Sequence, residues 1–495
     1  MKKTVTWLLA LLLALSIALV MVPVAFADDA VPDSVYTGDF TIQDQAMERF
    51  AAAYQAGETQ FDIYNADVLY TFALFVSSSA VTDGFAGRTV SLKCNMIFNE
   101  GNAANWGTKA PTAMPFWNSI NNFSGTFDGE GHTVSGIYLT TSANFQGFFG
   151  VLTANATVKN LGILNSYFKT TGDYIGGLAG RINGANVTVS NCYVDAVVEG
   201  GHFANGGIVS LASGAGAKIE GCVFKGSVTG ASGSSSGGIV GVSALYRDGF
   251  DTTVSDCVNL GAISGAAGNS AGAMIGSMAH ATIIRCLNFG TVVCPTSSSS
   301  ATNPNALLGK VRSDGATDLK ADLIDCYLFT DLNQNAYIRS TDLATFGAEA
   351  TITTVEDSTT VKGDDAKTVL TALDFDGSAD DKTDWVTRED DYPIPAGVAV
   401  ILGGVANEAD PDPIIPYNND DTTVTTAPEP TTTAPKPRTE PTTTAPATTA
   451  EPSVETSGEA KTKKSGCKSS AGMASIAVIA LIGGCAVVVT GKKKG

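Results

Sequence analysis

The chain has 495 residues, and 49 Asp and Glu outweigh 30 Lys and Arg, for a net charge of −19. That surplus excludes a basic, phosphate-binding surface and with it nucleic acid as a partner. Three His without an HExxH leave no His cluster for zinc. The 53 Gly and only 16% charged residues point to turn-rich β-structure over long solvated helices.

Lys2 and Lys3 precede an apolar run from Trp7 to Val24, and Ala25-Phe26-Ala27 follows. A positive start, an apolar stretch and a small-x-small site are those of a secretory signal peptide over 1–27, cut after Ala27. At the other end, Ala471 to Thr490 is an uncharged apolar segment that meets Lys492, Lys493 and Lys494. Twenty such residues span about 30 Å of hydrocarbon, so 471–491 is expected to be a transmembrane anchor. Residues 492–495 are then a basic cytoplasmic tail, with the rest of the chain outside. Before the anchor, 406–470 is rich in Thr, Pro and Ala. Such a segment has too little apolar surface for a core and reads as a disordered, extended stalk. At about 3.1 Å per residue, fifty residues would reach on the order of 150 Å.

The middle of the chain repeats. Gly147–Gly150, Gly177–Gly180, Gly207–Ser210, Gly238–Gly241, Ala273–Gly276 and Ala306–Gly309 align at steps of 30 to 35 residues. A second mark travels with the first. Cys192, Cys222, Cys257, Cys286 and Cys326 each follow an apolar residue three positions earlier: Val189, Ile219, Val254, Ile283 and Leu323. Val198, Val228, Ile263 and Val292 stand six positions after the first four Cys, and Leu161 takes the Cys position in an earlier copy. Short β-type runs, Gly-rich turns and a period near thirty describe a solenoid in which equivalent side chains stack as ladders. A helical repeat is disfavoured, because each interior Gly would cost about 1 kcal/mol. The fold expected is all-β: a parallel, right-handed β-helix over 89–345 with capping segments, then the stalk and the membrane helix.

Gly176-Gly177-Leu178-Ala179-Gly180 and its relatives resemble the GLUG motif of bacterial surface β-helix proteins. Phe123 to Val134 resembles the strand that enters such repeats, and Ala66 to Phe75 resembles the capping helix of that family. Cys257-Val-Asn-Leu-Gly261 and Cys286-Leu-Asn-Phe-Gly290 resemble the strand that follows each motif. The resemblance covers about residues 60 to 330. It implies an N-terminal capping region with a helix over 28–88, a β-helix, and a place on the surface of a Gram-positive bacterium. A Leu-Pro-x-Thr-Gly sorting signal is missing, so a membrane anchor is expected rather than covalent wall attachment. After Cys326 the period fades. Asp364 to Leu373 reads as a short helix, and Trp385 with Tyr392-Pro393-Ile394 suits a closing cap, within 346–405, over the last open edge.

Nine Cys in a secreted chain first suggest disulfides. Like Cys on adjacent rungs stack in parallel, whereas a bridge needs Cβ atoms about 3.8 Å apart and a torsion near 90°. Buried free thiols are therefore expected, with one neighbouring-rung bridge, or Cys286 with Cys294, the alternatives. No cofactor motif, P-loop or nucleophile elbow occurs.

Three clusters invite chemistry. Asp128-Gly-Glu130-Gly-His132 offers two acids and a His in one turn, the raw material of a glycosidase; a turn that opens the helix is the simpler account. The rung acids Asp195, Glu220, Asp256 and Asp325 are scattered in sequence. Asp331, Asn333, Asn335 and Asp342 occupy calcium-loop positions one, three, five and twelve, but Ala336 replaces the required Gly. The acidic run Asp374–Asp384 reads as a solvated face. Trp106 and Trp117 suit cap packing better than a sugar platform. The expectation is a non-enzymatic surface protein that binds a host or neighbouring-cell protein or glycan. A carbohydrate-active enzyme on the same scaffold and an accessory structural protein are the alternatives.

Overall fold

The computed structural model describes residues 33–110, 116–243, 251–266, 270–294, 306–311, 320–329, 331–332, 334–337, 350–355, 385–386 and 392–402. The expected signal peptide, stalk, membrane anchor and basic tail lie outside these residues, as do the Asp364–Leu373 helix and the whole Asp374–Asp384 run. Among the described residues no helix is long and apolar enough to cross a membrane.

From Gln60 to Val355 each strand pairs with its counterpart one coil away. Four sheets result. A ten-stranded back sheet runs from Gln60–Ile63 to Ala350–Val355, and an eleven-stranded front sheet includes Gly162–Thr170, Tyr193–Glu199 and Val223–Thr229. A seven-stranded side sheet and a four-stranded short sheet complete the coil. Every pairing among these four is parallel. This is the stacking of a parallel β-helix. The back sheet begins at Gln60, inside the segment the sequence assigns to the N-terminal cap, and it continues past 345 to Val355.

The interior is built from single-file columns. Val90, Phe127, Val158, Val189, Ile219, Val254, Ile283 and Leu323 are in register on the back sheet and buried. Opposite them Val198, Val228, Ile263 and Val292 form a second column. Each such side chain contributes about 1.5–3 kcal/mol by leaving water.

Corners are made by single residues in the left-handed region. Between back and front sheets stand Asn160, Asn191, Gly221, Asp256, Arg285 and Asp325, with φ of 54°, 51°, 59°, 55°, 48° and 53°. Asn, Asp and Gly tolerate this conformation; Arg does so at a cost of about 1 kcal/mol. Each corner residue precedes Leu161 or a Cys of the repeat, and that side chain turns inward. Cys192, Cys222, Cys257, Cys286 and Cys326 are buried free thiols, and Cys294 is half-buried. Each stacked thiol bonds a carbonyl two residues earlier in its own chain, as Cys192 Sγ does with Ser190 O at 3.3 Å. The repeat glycines admit close backbone approach: a Cβ at Gly241 would lie 2.7 Å from the carbonyls of Asn205 and Ser210.

Two helices plug the N-terminal end. Helix α1 (Phe40–Ala56) starts at Asp39, whose side chain accepts from Thr41 N and ends at Gly57, with φ 78°. Helix α2 (Ala66–Val76) is capped by Asn65 and covers the expected capping helix. Buried Asp67 binds the approach to α1, accepting from Thr37 N and Oγ1 (both 2.9 Å) and Gly38 N (2.8 Å). The plug is aromatic: Phe50 meets Phe72 at 5.5 Å, and Phe61 meets Phe85 at 4.8 Å.

The C-terminal segment lies elsewhere than the sequence suggests. Trp385 and Tyr392–Ile394 do not close the last edge; they belong to a strap along the outer flank of the front sheet. Trp385–Val386 pairs antiparallel with Ile394–Pro395, and helix α3 (Ala396–Ile401) follows. The Tyr392 ring stacks on Phe289 at 3.8 Å, near the last coils. At the other end, a Cβ on Gly162 would come 2.7 Å from Ile401 Cγ2. The strap thus runs back against the order of the coils. The reason is an outward column, Gly162, Tyr193, Val223, Val258 and Leu287, which is apolar except at Gly162. Left uncovered it would be a continuous exposed apolar stripe; under the strap its side chains are buried.

Candidate functional site

The back sheet turns two columns of side chains outward. Thr89, Thr126, Thr157 and Thr188 stand on four successive strands in register. Lys218 follows, then Thr253 and Thr282. Adjacent parallel strands are about 4.8 Å apart, so the hydroxyls form a regular row. All six Thr are half-buried, and their hydroxyls make no hydrogen bond to the described protein. Two residues on, the second column reads Ser91, Asp128, Lys159, Ser190, Glu220 and Ser255.

Charges in this region are neutralised, most of them rung to rung. Asp128 Oδ2 meets Lys159 at 3.0 Å, and its Oδ1 accepts from Glu130 N at 2.9 Å and Asn160 Nδ2 at 3.0 Å. Burial pushes the Asp128 carboxyl up, but these donors outweigh it and hold it below the usual range. Glu130, with φ 50°, binds Lys93 at 2.5 Å, and Lys93 also reaches Asp62 at 3.5 Å. His132 is pushed down by burial. The turn therefore holds two carboxylates on two different lysines. A glycosidase pair needs one carboxyl raised into an acid, and Asp128 is shifted the other way.

The scattered rung acids also have partners. Arg285 grips Asp256 with two bonds of 2.7 Å across neighbouring corners. Asp195 lies 4.0 Å from Lys225, and Glu220 lies 3.8 Å from Lys218. Burial raises both the Asp195 and the Glu220 carboxyl. Asp325 is a corner residue. Of the calcium-loop candidates, Asp331 is an exposed turn residue, Asn335 begins the strand Asn335–Tyr337, and Asn333 and Asp342 lie outside the described residues. Among the described residues no three His, Cys, Asp or Glu side chains group to hold a metal ion.

Neither Trp106 nor Trp117 is a surface platform. Trp117 is 4% exposed, stacks on Phe148 at 4.8 Å and donates its ring N–H to Phe148 O. Trp106 is 5% exposed and packs edge-on against Tyr138. Tyr138 stacks in turn on Tyr167, whose hydroxyl donates to Glu199 at 2.9 Å. Burial and the Glu199 carboxylate raise that phenol well above its ordinary value.

Sequence reasoning missed three features with readable signals. The corner ladder was marked by the Asn, Asp or Gly before most repeat Cys. The strap groove was marked by apolar residues directly after each Cys, positions that alternation turns outward. The Thr row was marked by Thr one residue before the inward column. A half-buried aromatic row, Phe145–Tyr174–Phe203 with centroids 4.7 and 5.4 Å apart, also recurs coil by coil.

No family model and no curated protein matches the chain. Two solved structures are similar to it. One is a Bacteroides ovatus protein classed provisionally as an immunoglobulin A1 protease, 16% identical over 68% of this chain and 92% of that one, with a TM-score of 0.45. The other is an IgA1 protease, 15% identical over 60% of this chain, with a TM-score of 0.33. This chain spans about a fifth, 21%, of that second structure.

Proposed function

We propose that this chain is a GLUG-type surface protein that binds an extended ligand, a glycan or a protein, along the outer face of its back sheet and does not cleave it. The signal-like start, the Thr- and Pro-rich segment and the apolar tail support display on the outside of a Gram-positive cell. The observation that carries the binding reading is the row of unpaired Thr hydroxyls at strand spacing. Hydroxyls held by a rigid sheet are already ordered, so a repeating ligand loses little protein entropy on contact. Many weak, equally spaced contacts also sum by avidity. Against cleavage stand the ion pairs that occupy Asp128, Glu130, Asp195, Glu220 and Asp256.

The test is a glycan and polysaccharide screen in which binding and reducing-end release are read from the same wells. Wild type is expected to bind without release. Thr157→Val with Thr188→Val keeps shape and β-propensity while removing two hydroxyls, and binding is expected to weaken about tenfold. Equal binding by the double variant would sink the Thr-row assignment. Product release would overturn the non-enzymatic reading and direct attention to Asp195 and Glu220, the rung acids raised by burial.

A further inference from the structure

The strap is a module paired with itself. Among the described residues its strands bond each other, antiparallel, in a molecule whose other strand pairings are parallel. Its hold on the solenoid is apolar packing: Ile394, Val398, Ala399, Ile401 and Leu402 against Tyr193, Val223, Val258, Leu287, Tyr327 and Phe329. Residues 356–384 join it to the last back-sheet strand, Ala350–Val355. A connection of that length reaches up to about 100 Å when extended. The groove from the Gly162 coil to the Tyr327 coil spans only about 24 Å, at about 4.8 Å per coil.

We infer that this groove is a docking site for the strap of a second copy of the chain, so that neighbouring heads exchange straps. The same side chains fill the same column whichever copy supplies them, and the connection is long enough to reach a neighbour. A tethered strap competes at an effective concentration near the millimolar range, so dilute heads keep their own. Crowding, or loss of a head's own strap, shifts the balance to exchange, the low-cost route to dimers open to any separable element. The inference stands apart from the ligand reading above, since it uses the front-sheet column under the strap and not the Thr row of the back sheet.

Two variants of the full chain test it. Val398→Asp spoils the strap and leaves the groove; Val223→Asp spoils the groove and leaves the strap. Val223 points outward, so once the strap leaves, the new carboxylate meets water and the coil keeps its core. Each variant alone is expected to be monomeric by light scattering. Their equimolar mixture is expected to form a heterodimer, because one intact strap meets one intact groove. A mixture that stays monomeric overturns the inference. So does equal dimerisation of either variant alone, which would mark non-specific association of a bared stripe. If circular dichroism shows Val223→Asp unfolded, Val258→Asp on the next coil replaces it.

Discussion

Asp195 and Asp128 are carboxylates on outward columns of one solenoid, and their surroundings push them in opposite directions. Burial raises Asp195, with Lys225 opposing. A carboxyl raised by folding costs stability once it ionises, so its penalty grows as pH climbs from the unfolded to the folded value. Asp195→Asn is therefore expected to melt higher than wild type at pH 7, with the gap closing below about pH 4. For Asp128 burial is outweighed by the Glu130 amide, Asn160 and Lys159, and the folded value falls. Its contribution is present above the unfolded value and lost as pH drops through the folded one. Asp128→Asn is expected to cost about 1–2 kcal/mol at neutral pH and progressively less in acid. Thermal melts of both variants from pH 3 to 8 would show two curves diverging from wild type in opposite senses, and parallel behaviour would refute the assignment. Arg285 separates strain from pairing. It holds Asp256 yet sits at φ 48°. Both Ala and Gly remove the ion pair, but only Gly relieves the backbone. Arg285→Gly should be about 1 kcal/mol more stable than Arg285→Ala in urea unfolding.

At the scale of elements, strand pairing is fixed by columns more than by any one strand. The strands are short, several of three or four residues, and could not persist alone. Their register comes from inward apolar residues and from charges matched between rungs: Asp62 with Lys93, Asp128 with Lys159, Lys169 with Glu199. A slip of one residue would turn every column inside out. Val228 shows the stakes, with 0% exposure in the middle of its column. Val228→Asp buries an unpaired carboxylate, and a loss above about 4 kcal/mol is expected, enough to unfold several coils. Limited proteolysis measures it, and wild-type resistance would contradict the inward placement.

Across the whole molecule, solenoid coils are held mainly by nearest neighbours, which favours piecemeal unfolding. The strap changes that by touching coils from Gly162 to Tyr327 at once. Val398→Asp, which releases it, is expected to lower the urea midpoint and flatten the transition, because the coils beneath lose their common partner. A transition of unchanged midpoint and slope would mean that the strap adds no cooperativity.

The periodic parts of the molecule could be read from residues alone. A thirty-residue step, an apolar residue three before each Cys and another six after the first four recur from coil to coil, and repetition multiplies a weak local signal. The stacking of the Cys followed from the same logic, whereas the helix at Ala66 was expected from the family resemblance alone. What is not periodic escaped. The partners of Asp128, Glu130 and Asp256 lie 29 to 37 residues away, on a neighbouring coil, so each acid looked isolated until the coils were stacked. The strap was harder still, because its course depends on a groove whose residues are spread over Gly162 to Tyr327. Local sequence thus determined the coil, its inside and its period. Only the tertiary structure decided which outward faces are covered, which charges are neutralised and which hydroxyls are left facing water, because those outcomes depend on contacts between residues that chain distance does not bring together.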